Sequence, residues 1–285
     1  LMAVGCMPLT VFAADGTAAA SGEIALTEEN FPDEAFRTYL QENADTDGDG
    51  ALSETECGDV TDLPLSGMEI ADLTGIGNFT KLTALDCSDN QLTTLDLSDA
   101  AMLAKLDCSG NGTLESLTLP EPMQLGGISM PGSMLTVLDC SDCVLSSLSL
   151  DNCIVLGELN CSGNQLTELD TRYCQGLKEL NCADNRLDTL SLIWEKSLLD
   201  CSGNLLKSLR LTGNPALETL NCSGNQLTAL SVSSNTALTG LNCAKNQITQ
   251  LDLSKNTSLA SLDCSGNQLT TLSVTGNSVL ETLNF

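Results

Sequence analysis

Nine cysteines recur at a near-constant step along this chain of 285 residues: Cys87, Cys108, Cys140, Cys161, Cys182, Cys201, Cys222, Cys243 and Cys264. The successive intervals are 21, 32, 21, 21, 19, 21, 21 and 21 residues. Around each lies the same phrase, as in LTALDCSDNQLTTL, ETLNCSGNQLTAL and ASLDCSGNQLTTL. A fixed period in this range marks a solenoid, in which every turn buries its apolar face on its neighbours and no single central core is needed. Stacked turns build long surfaces and rarely build catalytic pockets.

Leucines mark a finer unit inside the period. The pattern L-x-x-L-x-(L/C) begins at Leu82, Leu92, Leu103 and Leu114, and again at Leu206, Leu217, Leu227, Leu238, Ile248, Leu259, Leu269 and Leu280. Each 21-residue turn thus holds two strand-like segments. Leu-x-Leu and Leu-x-Cys have the period of two expected of strands, so leucine and cysteine face inward and the residue between them faces out. On the cysteine strand those outward residues are Asp86, Asp107, Asp139, Asn160, Asn181, Asp200, Asn221, Asn242 and Asp263. The fuller phrase L-x-x-L-x-(L/C)-x-x-N-x-L is the leucine-rich repeat pattern. The predicted fold class is therefore mainly β: a flattened leucine-rich-repeat solenoid over residues 60–285 with little helix, two short strand-like segments per turn and two parallel sheets. About ten turns at roughly 4.8 Å each give a length near 50 Å.

The inward cysteines are read as free buried thiols, since a thiol packs as a small hydrophobe. A second ladder runs through Asn90, Asn111, Asn164, Asn185, Asn204, Asn225, Asn246 and Asn267, with Cys143 in the asparagine place of its turn. A buried carboxamide there can satisfy backbone groups that the bend leaves unpaired. Asn214, Asn235, Asn256 and Asn277 hold an equivalent position in the other half-turn, where Cys153 and Cys174 replace asparagine on adjacent turns. Stacked turns bring those two Cα atoms to about 5 Å, within disulfide range, so a bonded pair and two thiols are both open.

Two places break the rhythm. The 32-residue step contains PEPMQLGGISMPGSM, which either adds half a turn or loops out. Looping out is preferred, because a half-turn would move every ladder to the opposite side. The 19-residue step contains LIWEKSLLD and the only tryptophan. Irregular insertions in repeat proteins often mark the binding face, so Met123, Met130, Met134 and Trp194 are the candidate partner-binding residues. The competing reading is local repair of a mutated repeat.

Ahead of the repeats, residues 1–13 read as the remnant of a secretory signal peptide, and 14–26 as a spacer. A lipoprotein box ending at Cys6 is the rival reading of the leader. Residues 27–59 read as an EF-hand-like cap. Phe36, Tyr39 and Leu40 share one face of a predicted helix, and DTDGDGALSETE follows it directly. That segment is a complete twelve-residue calcium loop, with Asp45, Asp47 and Asp49 at positions 1, 3 and 5 and Gly50 at the sharp turn. Ala51 offers a carbonyl, Ser53 stands at position 9, and Glu56 is the bidentate acid. The expected cofactor is Ca2+, in a structural role that covers the open end of the solenoid.

At this number of copies, the ladder cysteines with the asparagines that follow them are specific. Over about Val60 to Phe285 the chain resembles the bacterial leucine-rich-repeat surface proteins with a cysteine ladder, the internalin J-like group. The resemblance implies an extracellular or cell-surface protein with an adhesive role. The EF-hand cap departs from the helical cap of that group. Phe285 falls on the next ladder position, in mid-turn, which reads as a clipped end.

Composition narrows the function. A formal charge of −27 argues against nucleic acid and anionic membranes as partners. Without histidine, Ser-His-Asp and Cys-His catalysis and most zinc sites are excluded. No stretch beyond the leader is apolar enough to span a bilayer. The expectation is a monomeric, non-enzymatic module for a protein partner or a glycan-bearing surface. A spacer that presents a further domain is the alternative, and a carboxylate-based hydrolase the remote one.

Overall fold

In the computed structural model, residues 22–122, 124–125, 128–129, 132–192 and 196–285 are described. The cap holds β1 (Ile24–Ala25), α1 (Glu34–Asn43), β2 (Ala51–Leu52) and α2 (Glu54–Asp59). The first turns carry β3 (Asp62–Pro64), β4 (Ala84–Asp86), β5 (Thr94–Asp96), β6 (Lys105–Asp107) and β7 (Ser116–Thr118). A hairpin, β8 (Gln124–Leu125) and β9 (Ile128–Ser129), precedes β10 (Val137–Asp139). The remaining turns give β11 (Glu158–Asn160), β12 (Glu179–Asn181), β13 (Leu198–Asp200), β14 (Thr219–Asn221), β15 (Gly240–Asn242), β16 (Ser261–Asp263) and β17 (Thr282–Asn284).

One parallel sheet of eleven strands runs the length of the repeats, in the order β3-β4-β6-β10 and then β11 to β17. The central leucines stay in register from rung to rung, as in Leu85↔Leu106, Leu106↔Leu138 and Leu138↔Leu159. Each of these leucines and the cysteine two residues later are buried, which is the inward alternation the sequence predicts. The second of the two expected parallel sheets forms only in part among the described residues. Its segments pair as sheet where β5 meets β7, and elsewhere through bonds such as Gln165 N–H to Leu145 O (2.9 Å).

The bend after each cysteine follows one design. Asn225 Nδ2 donates to Cys201 O (2.9 Å) on the preceding turn and to its own Cys222 O (3.1 Å), and its Oδ1 accepts from Leu206 N–H (3.0 Å). Asn164, Asn185, Asn204, Asn246 and Asn267 repeat the bridge between cysteine carbonyls of two turns. Cys143, in the asparagine place, donates its thiol to Cys108 O and Ser141 O (both 3.4 Å). The residue before the ladder asparagine takes a left-handed conformation. Glycine supplies it in turns such as Gly224 (φ 64°), while Asp89, Asp142, Asp184 and Lys245 adopt it at φ 51–54°.

The long step is an excursion. β6 pairs directly with β10, so the cysteine ladder stays in one sheet, and β8 and β9 form an antiparallel hairpin within the inserted segment. The short step keeps register too, with Leu180↔Leu199. There Lys196 takes the place that Leu177 and Leu217 hold in neighbouring turns. It is buried, and its Nζ donates to Leu177 O (3.0 Å).

The cap covers the first turn through aromatic packing. Phe31, Phe36 and Phe79 are buried together, with ring centroids 5.8 to 6.5 Å apart. Asp33 caps α1 by accepting from Phe36 N–H (3.0 Å), and its other oxygen accepts from Ala71 N–H (2.8 Å) in the first turn.

Replacing Asn225 by alanine removes three buried bonds: the Leu206 N–H loses its acceptor, and Cys201 O and Cys222 O each lose one of two amide donors, keeping Asn204 and Asn246. The expected loss is about 3 kcal/mol, at roughly 1 kcal/mol or more per unmade buried bond. Urea unfolding checks it, and a loss below about 1 kcal/mol would mean that water takes over the bridge.

The ladder thiols predict alkaline lability. Burial pushes Cys161 and Cys243 up to about 12, and Cys140, Cys182 and Cys201 well above the ordinary thiol value. In the unfolded chain thiols ionise near pH 8.5, so the unfolded state loses its protons first. This stabilisation is complete below about pH 8.5 and is lost as pH rises towards 12, at up to about 1.4 kcal/mol per pH unit for each thiol. Urea midpoints measured in reductant should be level through neutral pH and fall steeply above it. A flat alkaline profile would contradict the buried ladder.

Candidate functional site

The twelve-residue loop closes between α1 and α2. Its backbone is folded by its own acids. Asp45 accepts from Gly48 N–H (2.7 Å) and, through its second oxygen, from Gly50 N–H (3.0 Å), while Asp49 accepts from Ala51 N–H (2.9 Å). Gly48 and Gly50 take positive φ of 73° and 84°, which the tight turn requires. β2 lies antiparallel to β1, with Ile24↔Leu52 and Ala25↔Ala51, so a strand from the preceding segment holds the back of the loop.

These constraints bring Asp45, Asp47 and Asp49 together, with one carboxylate oxygen from each within 4.8 Å of the others. The N–H of Asp49 lowers the Asp47 carboxyl, but desolvation and the neighbouring Asp49, Glu56 and Asp45 carboxylates outweigh it, and the net direction is upward. Among the described residues, no lysine or arginine forms an ion pair with the three. The donor set is all oxygen and anionic, which suits a hard divalent cation.

Glu56 stands outside that group. One oxygen accepts from Thr46 N–H (2.6 Å) and Oγ1 (2.7 Å), and the other from Ser53 N–H and Oγ (both 2.9 Å). These bonds, the Ser53 N–H bond foremost, lower its carboxyl to about 2. Ser53 in turn caps α2, accepting from Glu56 N–H (3.2 Å). The helix cap therefore claims both Ser53 and Glu56, two of the residues assigned to the loop by pattern.

The other candidates lie elsewhere. Met134 is exposed on the flank of its turn, whereas Met123, Met130 and Trp194 lie outside the described residues, as does the leader. Cys153 and Cys174 are both buried and carry free thiols, with Ser133 Oγ 3.9 Å from the sulfur of Cys153. Burial pushes Cys174 up to about 12.

Two features were missed in the sequence. The outward aspartates of the cysteine strand brace the bend: Asp86 Oδ1 accepts from Ser88 N–H (3.1 Å) and Oγ (2.6 Å), and Asp107, Asp139 and Asp263 repeat the motif. The serine two residues later was the available signal. Lys196 was the second, and its signal was a lysine in a column of leucines. Burial lowers its ammonium to about 8.

Comparison with known proteins gives one sequence relative and a set of structural ones. Internalin J of Listeria monocytogenes serotype 4b is 38% identical over 68 residues, which is 24% of this chain and 7% of the relative. The functional domain of InlJ from Listeria monocytogenes, which includes a cysteine ladder, superposes with a TM-score of 0.78 at 32% identity, over 92% of this chain and 56% of that one. An internalin (inlF) from the same species gives 0.50 at 20% identity, over 93% and 98%, which speaks for the fold alone. No family model matches. This chain thus spans about half the length of the InlJ domain it superposes on and a small part of full-length internalin J. In sequence pattern and in architecture, the chain is a leucine-rich-repeat solenoid with a cysteine ladder, similar to internalin J.

Proposed function

We propose that this chain is an exported bacterial surface or secreted module that engages a protein partner or a glycan-bearing surface without catalysis, and that Ca2+ in the loop from Asp45 to Glu56 stabilises its N-terminal cap. The observation that carries the binding reading is the open sheet. Parallel sheets are ordinarily covered on both faces. Here eleven parallel strands carry outward polar side chains such as Asp86, Asn160 and Asn242, and among the described residues no helix covers them. A face kept open over that length offers area for a macromolecule. The likeness to internalin J supports both the interaction role and a place at the cell surface. No helix of the described residues is long and apolar enough to cross a membrane.

Hydrolysis by paired carboxylates is the weaker reading. It needs a cleft that sets two acids apart in proton affinity. The aspartate row lies on an open face, with its oxygens engaged in the bends.

For the metal, Asp45, Asp47 and Asp49 would supply three carboxylates, and the Ala51 carbonyl would complete the near side. Glu56 would exchange its bonds to Thr46 and Ser53 for the cation. Calcium would relieve the mutual repulsion of the carboxylates and tie α1 to α2. Thermal melts in calcium and in chelator should differ. At a hundredfold excess over the dissociation constant the gain is about 2.7 kcal/mol. Asp45→Asn with Asp49→Asn should abolish the difference. Identical melting curves, with no binding heat by calorimetry, would remove the site.

The contact with a partner is assigned to the interrupted turns near Met123, Met130, Met134 and Trp194, because interfaces draw most of their energy from a few aromatic, Met or Arg anchors. Trp194→Ala should weaken a real partner by about 2 kcal/mol while leaving the calcium-dependent melt unchanged. A blue, unquenched tryptophan emission in the free protein, with a lowered melting temperature on mutation, would instead make Trp194 a core residue.

A further inference from the structure

The flank of the middle turns carries large apolar side chains that the fold does not require. Met102, Met134 and Val155 stand at one repeat position, four residues before Leu106, Leu138 and Leu159. Those leucines are register partners on adjacent strands, so the three side chains follow one another at about 4.8 Å. They are 38%, 45% and 47% exposed. Elsewhere the same position holds Lys81 on the rung before Met102, Ala216, Ala237 and Ser258 in later turns and Val279 on the last, so the solenoid stacks with small, polar or charged residues there. On the rung after Val155 the position is Gly176, where an added Cβ would lie 3.2 Å from Val155 O. The backbone closes up at that point, and Gly176 has no side chain to cover Val155. Tyr173, 45% exposed, stands on the same rung as Gly176, with the Arg172 guanidinium 5.7 Å from its ring centre. The β8–β9 hairpin precedes Met134 in the chain.

We propose that this strip is the docking surface for a basic amphipathic helix of a partner protein. The proposal rests on the interaction reading above and gives that partner its chemistry. Charge selects the occupant. Asp99 and Asp151 stand exposed on the turns of Met102 and Val155, and Arg172 is paired with Asp170. A second copy of a chain with net charge −27 would be repelled, whereas lysines and arginines beside an apolar stripe would be attracted. Pitch selects the shape. A helix laid along the solenoid axis presents one apolar residue about every 5.4 Å, close to the rung spacing of about 4.8 Å. Apolar residues at i, i+4 and i+7 would meet Met102, Met134 and Val155 in turn.

The test uses the full chain and a fluorescent synthetic helix of about 18 residues, with leucines at i, i+4, i+7 and i+11 and lysines on its other face. Two control peptides are a scramble of equal composition and a version with glutamate for lysine. Anisotropy titrations should show binding of the patterned basic helix at least about tenfold tighter than either control. The double variant Met134→Ser with Val155→Ser should lose about tenfold or more, while Val279→Ser, at the same position on a remote rung, should lose nothing. Circular dichroism and melting curves should match for all variants, because Ser258 already occupies that place. Equal binding of the scramble, equal loss with Val279→Ser, or no loss in the double variant would each overturn the strip. Loss with Trp194→Ala but not with the double variant would overturn it while leaving the wider interaction reading intact.

Discussion

The turns of this chain are tied together by a side-chain amide at the bend, with the thiol of Cys143 in its place on one turn. A parallel sheet built from strands of three residues must turn sharply after every strand, and the turn leaves cysteine carbonyls facing the interior. A carboxamide offers two donors and an acceptor on one short stem. It therefore ties its own bend to the bend below, as Asn225 does between Cys222 and Cys201. This couples the turns at a fixed spacing, and that spacing sets what the core can hold. Leucine fills the middle of the turn, and cysteine suits the narrow place beside the bend, where the buried thiols stack.

The repetitive parts were legible because identical environments recur and select identical residues. Leucine, cysteine and asparagine each answer one demand, so their spacing reveals the demand. The excursion at the long step is preferred on the same ground, since a half-turn would shift every ladder, and Leu106 and Leu138 are in register; the hairpin within it has no signal in the repeat. What was hidden are residues with two suitable readings. An outward aspartate looks like surface polarity, and only geometry shows Asp86 holding Ser88. The loop from Asp45 to Glu56 has the same ambiguity. Its pattern names six ligand positions, yet Ser53 and Glu56 equally satisfy a helix capping box, and the structure has them so engaged. Lys196 breaks the leucine column outright, and its long stem reaches a carbonyl of the preceding turn.

The N-terminal cap ends the repeat with different chemistry. Three phenylalanines occupy the end of the leucine column, and Asp33 serves a helix with one oxygen and the first turn with the other. α1 and the solenoid are thereby joined by shared packing and by one shared carboxylate. Whatever orders the loop that follows α1 acts on the junction as well.

The hydrogen bonds that join the rungs lie nearly parallel to the long axis of the solenoid. That direction has a mechanical meaning. Tension between the two ends would open those bonds one row at a time, as a zipper opens, and would not load many rows in shear together. Each freed turn of 21 residues could lengthen from about 5 Å to about 70 Å. The molecule would yield to a steady pull in discrete steps, one turn after another, and so limit the force passed on to whatever its ends hold.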